Sequence, residues 1–571
     1  MLKENDSNKE SPIRWIIGAT KPYHGVVLLL VVLAATSAGI GLWNAVLLKN
    51  LIDAATDGNR ELLIRIAVIL LLVTFASVGL SLFSRYLRER TSYRLLNGLQ
   101  TRLFSVLLSK DYYNVTRAHS QEWMNRFIND PITVSDATTT MVPGVIGIAF
   151  TFVGAIYLLI KAAPSFLVFV IIGGALLVAI NYALKNPLKQ AQRSFRDSAG
   201  RRDVYISEHL SKLMIVKAFN RESVTKENSA EKLEDTLLCR MCRLRLLLMK
   251  DAVQNGATKL AYLAVLIYCA NKIIHGEISY GTCVMLLRLL SQIRAPLTDV
   301  SKYLSNIFDV SVAAERLMEA EAFADDPEFP VKSDEETYEF YENDLQEIVF
   351  EDAGFSYLDE LEVNPNIRPT VFEHVDMTIP KGSLVAFTGI TGSGKSTLFK
   401  LLLSLYPLQE GRIMLRCNDG SETPLDATYR RLFAYVPQGN QLMVGTVREM
   451  VSFGDKDAKD SDLWAVLETS CAKDFVEELP QGLDTQIGER GLGLSEGQMQ
   501  RLAVARALYT KRPILLLDEA TSSLDEATEQ QLLENIKAMT DCTVLIVTHR
   551  PAALSICDME VRIDGNSVYK I

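Results

Sequence analysis

Four stretches of this chain carry no charged side chain at all: residues 26–48, 66–84, 137–160 and 162–184. A helix rises about 1.5 Å per residue, so about 20 apolar residues cross the ~30 Å of hydrocarbon in a bilayer. Each run is of that length. The competing reading is a helix buried in a soluble core, and runs this long and this free of charge argue against it. Two further spans are less clean. Residues 260–271 are apolar but short, and their helix is expected to start earlier, past Lys259. Residues 278–287 continue through Arg288 and beyond Arg294. A charge near the bilayer centre costs about 2.5–3.5 kcal/mol on insertion scales, so such residues face protein or a water-filled path. The expectation is six spans. No cleavable leader is read ahead of the first apolar run, which is expected to stay as an anchor.

Charge sets the orientation. Lys3, Lys9, Arg14 and Lys21 precede the first span, Arg85, Arg88, Arg90, Arg94, Arg102 and Lys110 follow the second, and Lys185, Lys189, Arg193, Arg196, Arg201 and Arg202 follow the fourth. The opposite loops hold Arg60, Lys161 and Lys272. By the positive-inside rule both termini are cytoplasmic. The second helix is expected to run over 62–109, far longer than the hydrocarbon needs, and the fourth and fifth extend over 186–217 and 223–249. Such stalks suit the transfer of force to a motor domain. Their tips, 113–126 and 216–227, read either as plain turns or as a contact surface for an ATPase domain.

The net charge of −10 comes with interleaved signs and no basic stripe, so nothing suggests a nucleic-acid partner and none is expected. Of eight cysteines, Cys417, Cys471, Cys542 and Cys557 are scattered in the second half as small buried hydrophobes usually are, and Cys269 and Cys283 fall in apolar stretches. Cys239 and Cys242 form a lone C-x-x-C, and a zinc site needs more ligands than that. An acidic stretch over 319–344 with Pro327 and Pro330 reads as a solvated tether. The chain thus divides into residues 1–320, a linker at 321–345, and a soluble α/β part at 346–571. The fold class is multi-domain: an all-α six-helix transmembrane domain with long cytosolic helical extensions, then an α/β P-loop NTPase domain.

In the second part a short apolar strand, Leu384-Val385-Ala386-Phe387, runs into Gly389-Ile390-Thr391-Gly392-Ser393-Gly394-Lys395-Ser396-Thr397 and then a helix. Glycines at this spacing let backbone N–H groups wrap phosphates, with the positive end of the helix behind them. Lys395 is placed for the outer phosphates and Ser396 for Mg2+. Downstream, Pro513-Ile514-Leu515-Leu516-Leu517-Asp518-Glu519 is a buried strand ending in two carboxylates. Asp518 suits the Mg2+ shell, and Glu519 is placed to take a proton from water. Val544-Leu545-Ile546-Val547-Thr548-His549 is another strand. In a parallel sheet its histidine comes to the same edge, because ligands sit at the carboxyl ends of strands.

These motifs, with Leu494-Ser495-Glu496-Gly497-Gln498, resemble the nucleotide-binding domain of ATP-binding cassette proteins over 346–571, and residues 13–321 resemble the six-helix exporter type. The resemblance implies an ATPase with ATP and Mg2+ as cofactors and ATP held between two such domains facing head to tail. It implies Glu519 as general base, His549 on the γ-phosphate, and Gln438 on Mg2+ and the attacking water. It assigns nucleotide contacts to Tyr357 (with Phe355 the alternative ring), to 389–397, and to Ser495, Gly497 and Gln498 across the dimer. Gly488-Glu489-Arg490-Gly491 resembles a loop that touches the coupling segments, and Ser522-Ser523-Leu524-Asp525 one that crosses between protomers. The expected partner is a second half-transporter, the same chain or a paralogous one, in a bacterial plasma membrane among its lipids. The cargo is an unidentified drug-like, peptide or lipid substrate.

Glu496 stands where the family pattern has glycine. A carboxylate facing the γ-phosphate would weaken a site. Alternatively Ser495 and Gln498 form a capping box and an acid suits the first turn of the helix. The leading expectation is ATP-driven export. An ATP-gated channel or slow regulatory subunit is the other class, which conductance without uphill transport would reveal. Lys250, Asp251, Lys259, Arg288, Arg294 and Asp299 would favour a polar, peptide or anionic cargo if they line the cavity, and cytosolic pairing is the alternative.

Overall fold

The computed structural model describes residues 11–117, 120–326, 332–357, 370–439, 442–488, 493–539, 542–565 and 567–571. It forms two compact units, one of Met1–Leu108 with His119–Ala322, the other of Ser109–Ala118 with Phe323–Ile571.

The first unit is helical. It comprises α1 (Pro12–Ala19), α2 (His24–Thr56), α3 (Arg60–Ser109), α5 (Ser120–Asp136), α6 (Val142–Ala162), α7 (Leu167–Ser211), α8 (Leu213–Ala218), α9 (Glu222–Ile274) and α10 (Tyr280–Ala322), while α4 (Tyr112–Arg117) groups with the second unit. Ser11 caps α1 and Pro12 opens it, where its missing N–H costs nothing. A π-helical turn at Ala137–Met141 joins α5 to α6, and there Thr138 and Thr139 donate their hydroxyls to the carbonyls of Val134 and Ser135, each at 2.9 Å. Helices α2, α6, α9 and α10 share a core of Leu42, Ala45, Ala155, Leu159, Val265, Leu286 and Leu289.

Helix α3 has 50 residues, hence about 75 Å of length. Its apolar residues are not a soluble core: Leu71, Leu72 and Phe75 are 58, 62 and 69% exposed. Side chains so apolar and so exposed find a favourable medium only in lipid. Six long helical segments are present, but four, not six, are long and apolar enough to cross a membrane among the described residues: Lys21–Thr56, Arg60–Ser109, Glu122–Ala162 and Glu222–Ile274. In the fourth expected span the described apolar stretch is Pro164–Ala175, a 3-10 turn at Pro164–Phe166 running into α7. In the sixth, Arg288 and Arg294 interrupt the apolar stretch of α10. The fifth, expected to be marginal, qualifies because α9 starts as far back as Glu222.

Among the described residues the second unit holds three sheets. A four-stranded antiparallel sheet has the order β2-β1-β4-β5, from β1 (Leu345–Ser356), β2 (Thr370–Pro380), β4 (Glu410–Cys417) and β5 (Glu422–Pro424). The main sheet runs β12-β11-β3-β10-β9-β6, with β3 (Leu384–Gly389), β6 (Phe433–Val436), β9 (Ile514–Asp518), β10 (Thr543–Val547), β11 (Met559–Asp564) and β12 (Ser567–Lys570). Short strands β7 (Gly445–Thr446) and β8 (Gln486–Ile487) pair separately. Strands β3, β6, β9, β10 and β11 are mutually parallel. Strands β3, β9 and β10 are buried nearly throughout, which is why they read as continuous apolar runs. The helices are α11 (Asp334–Glu339), α12 (Lys395–Leu402), α13 (Val447–Ser452), α14 (Asp460–Thr469), α15 (Lys473–Glu477), α16 (Glu496–Tyr509), α17 (Glu526–Lys537) and α18 (Pro551–Ile556).

The acidic stretch expected to be a solvated tether carries structure. Ser333 and Glu336 form a capping box on α11, and Thr337, Phe340 and Tyr341 beyond it are buried. Pro327 and Pro330 lie outside the described residues. The cause is apolar content: Phe340 and Tyr341 join the core that covers the antiparallel sheet. Helix α4 joins this core too, with Tyr113 buried and its ring 5.2 Å from that of Tyr406. Lys110 Nζ meets Asp325 Oδ1 at 2.6 Å. The other tip, α8, leaves Met214 and Phe219 83 and 72% exposed.

Candidate nucleotide site

Parallel register assembles the site. Val547 of β10 lies beside Phe387 of β3 on one side and Asp518 of β9 on the other, while Val436 of β6 pairs with Leu517. The residues that follow each strand therefore emerge at one edge. These are the loop 389–394, Asp518 with Glu519, Thr548 with His549, and Gln438 two residues past β6.

The loop 389–394 turns tightly into α12. Gly394 caps that helix with φ of 98°, in the region L side chains avoid. A Cβ there would also run into Val371 and Phe372. Gly394→Ala is expected to destabilise the second unit by about 1–3 kcal/mol and to remove nucleotide binding. Thermal unfolding and titration with a fluorescent ATP analogue measure both, and undiminished affinity would contradict the loop's role. Lys395 is 6% exposed, and its Nζ donates to the carbonyls of Gly389 at 2.8 Å and Ile390 at 2.9 Å. Burial pulls its pKa down, against the raising influence of Glu519 and Asp518. Ser393 is buried, and its Oγ has no hydrogen-bond partner among the described residues.

Asp518 is 1% exposed. Burial raises its pKa, hydrogen bonds from Ser396 and Tyr435 lower it, and neighbouring Glu519 raises it again. Tyr435 OH donates to Oδ2 at 3.3 Å, whereas Oδ1 is buried without a partner. Glu519 adopts φ of 51°, uncommon for a side chain of its kind and a form of strain that clusters at functional sites. Its Oε2 accepts from Gln438 Nε2 at 2.6 Å. His549 is exposed on the loop after β10.

Tyr357 sits at the rim, part-buried, with its OH 2.8 Å from Thr397 Oγ1. Phe355, the alternative ring, is 2% exposed and stacked on Tyr406 at 5.6 Å, so it has no face left to offer. The Ser495 side chain accepts from Gln498 N at 3.2 Å, and Gln498 Oε1 accepts from Ser495 N at 2.8 Å, so the capping box forms and Glu496 is the first residue of α16. Ser495 and Glu496 are exposed. Of the loop 488–491, only Gly488 is among the described residues. Sequence reasoning missed Tyr435, Gln500 and Arg550. Arg550 adjoins His549, and Gln500 lies one turn into α16, but neither carries a pattern of its own.

Two cysteines of this unit are held toward the neutral thiol. Burial pushes the Cys542 thiol up to about 11 and Cys557 up to about 12.

Residues 26–297 match the family model of the ABC transporter transmembrane region, and residues 372–522 match the family model described as ABC transporter. The Bacillus subtilis protein YfiC, an uncharacterized ABC transporter ATP-binding protein, is 28% identical over 92% of this chain and 85% of its own length. A multidrug resistance ABC transporter ATP-binding and permease protein of Lactococcus lactis is 27% identical over 84% of this chain and 77% of its own. Among solved structures, a bacterial Atm1-family ABC exporter with ATP bound aligns with a TM-score of 0.75 and 20% identity, covering 96% of this chain and 94% of that one. At that identity the likeness is one of fold.

Proposed function

From the premise that this chain belongs to the ABC transporter family, with membrane region and ATPase fused in one polypeptide, we infer that it exports a substrate at the expense of ATP as one half of a dimer. It is an integral membrane protein and an ATPase coupled to transport. One observation carries the reading. The parallel sheet gathers the phosphate loop, Asp518, Glu519, Gln438 and His549 at one edge, in a chain whose other unit holds, among the described residues, four helices long and apolar enough to cross a membrane.

Each residue at that edge then has a task. Backbone N–H groups of 389–394 and the start of α12 cradle the phosphates, and Lys395 reaches the outer two. Tyr357 offers its ring to adenine. Glu519, oriented by Gln438, takes the proton of a water whose oxygen attacks the γ-phosphorus. The bond from that phosphorus to the β–γ bridging oxygen breaks, and ADP leaves. His549 holds the γ-phosphate oxygens. Asp518, Ser396 and Gln438 form a set of hard oxygen donors that fits Mg2+, and the unpartnered buried Oδ1 of Asp518 supports that fit. Mg2+ there would neutralise charge building up between the outer phosphates. Ser495 and Gly497 serve the nucleotide of the partner, so one chain does not complete a site. The capping geometry supports Glu496 as a tolerated first-turn acid.

The positive-inside pattern supports a cytoplasmic ATPase unit, and the Bacillus and Lactococcus relatives support a bacterial plasma membrane. The test is transport. In proteoliposomes with outward-facing ATPase units, ATP is expected to drive vanadate-sensitive uptake of one or more members of a panel of drug-like, peptide and lipid cargoes. ATP-dependent conductance without uphill accumulation would favour a gated channel instead.

A further inference from the structure

ATP hydrolysis makes no use of the cations that interrupt the apolar stretches of α9 and α10. These two helices are tied at two points. Tyr262 OH donates to the Leu287 carbonyl at 3.3 Å, and Arg294 Nη2 donates to Asn255 Oδ1 at 3.1 Å. From Asn255 to Tyr262, and from Leu287 to Arg294, is about two helical turns, so both ties express one antiparallel register. That register sets Lys259 level with Leu290, about 3 Å along the axis from Arg288. Lys259 falls on the stripe of α9 that carries Asn255 and Tyr262, and Ser291 on the stripe of α10 that carries Leu287 and Arg294. Lys259, Arg288 and Ser291 are exposed. Arg294 is engaged by Asn255, whereas neither Lys259 nor Arg288 has an ion-pair or side-chain hydrogen-bond partner among the described residues. The nearest carboxylate on α9, Asp251, lies about two turns away, or about 12 Å along the axis.

Both cations lie at membrane depth. Lys259 is about 22 Å from the end of α9 at Ile274, and Arg288 about 12 Å from the start of α10 at Tyr280, against about 30 Å of hydrocarbon. Charges this deep are costly in lipid and face a water-filled path or a ligand instead. An anionic group suits the pair, because a guanidinium offers a planar fork to two oxygens and an ammonium adds a compact charge beside it. The adjoining Leu260, Leu287 and Leu290 favour an apolar body over a small hydrated ion. We propose that Lys259 and Arg288 hold the anionic group of the cargo, so that the exported substrate is an amphipathic organic anion bearing a carboxylate, sulfonate or phosphate. This rests on the reading above, in which the chain exports a substrate.

The experiment is a calorimetric titration of the full-length protein in phosphatidylcholine nanodiscs, with empty nanodiscs as the blank. Three anions are compared with counterparts that lack the charge: anilinonaphthalene sulfonate with N-phenylnaphthylamine, decanoate with decanol, and dodecyl phosphate with dodecanol. At least one anion is expected to bind about tenfold or more tighter than its counterpart. Arg288→Gln and Lys259→Gln are each expected to weaken that anion by about 10–100-fold, as for one lost charge-assisted hydrogen bond, and to move the counterpart by no more than about threefold. Lys259→Arg keeps the charge and is expected to hold the anion within about threefold. Reversal of both charges, Lys259→Glu with Arg288→Glu, is expected to turn the preference from decanoate to decylamine. Phosphatidylglycerol added to the nanodiscs separates two sources of the anion: competition with the soluble probe assigns the site to a lipid headgroup, and unchanged binding to a free cargo. Either result keeps the site. Equal affinity for anions and counterparts, no anion bound by the unaltered protein, or equal loss of both in the glutamine variants would overturn the proposal. So would a lowered unfolding temperature in those variants with charge preference unchanged, the mark of cations that pair with a second copy. Each leaves the transporter reading standing, which fails instead if Lys395→Ala still moves cargo.

Discussion

Glu519→Gln is expected to cut ATP turnover by about 10²–10⁴-fold, the range for loss of a general base, while ATP still binds. The geometry explains why the two should separate. Glu519 Oε2 accepts from Gln438 Nε2, and a glutamine carbonyl oxygen at the same place still accepts that bond, though without the charge. The backbone at φ 51° is held by the turn from Glu519 O to Ser522 N at 3.2 Å, which the change does not touch. What disappears is the free carboxylate oxygen able to take a proton. With hydrolysis stopped and binding intact, ATP is expected to hold two chains together by their ATPase units. Steady-state phosphate release measures the first effect and native mass spectrometry with Mg·ATP the second. Turnover within about threefold of the original, well inside the range for a lost base, would remove Glu519 from its role.

Apolar runs and phosphate chemistry were legible in the sequence because each obeys a short-range rule. A run without charge long enough for a bilayer has few alternatives, and a glycine-rich loop between strand and helix has fewer. Placement of His549 followed from parallel-sheet logic alone, since Val547 pairs with Phe387 and Asp518 on either side. Other features depend on contacts far along the chain. The stretch 319–344 reads as a tether by charge, yet Phe340 and Tyr341 pack into a core assembled from strands that come later. The tip 113–126 reads equally as a plain turn or as a contact surface for an ATPase domain, and only the packing of Tyr113 on Tyr406, nearly 300 residues on, favours the second. Two aromatics so close in sequence do not separate by pattern: Phe355 lies inside β1 and stacks on Tyr406, whereas Tyr357 follows the end of that strand and stays part-buried. Arg550 and Gln500 both bond to Ser522 in the loop 522–525, and nothing in their spacing announces it.

Lys395→Ala is expected to abolish transport and weaken ATP binding by about 10²–10⁴-fold, the equivalent of two charge-assisted hydrogen bonds at about 1.5–3 kcal/mol each. The same change should cost the fold little. Lys395 is 6% exposed, and burial pulls its pKa down, so holding an ammonium there is already unfavourable. Two carbonyls, of Gly389 and Ile390, hold the ammonium in place. Losing those contacts and losing the buried charge act in opposite directions on stability, and the unfolding temperature is expected to move by no more than a few degrees. A residue buried for packing alone would behave the other way, with stability falling and affinity surviving. Arginine should not rescue, since a guanidinium is wider than the ammonium seated between those carbonyls. Calorimetric titration with Mg·ATP and a thermal melt on the same sample distinguish the cases. ATP affinity preserved in Lys395→Ala would mean that the loop 389–394 does not hold phosphate.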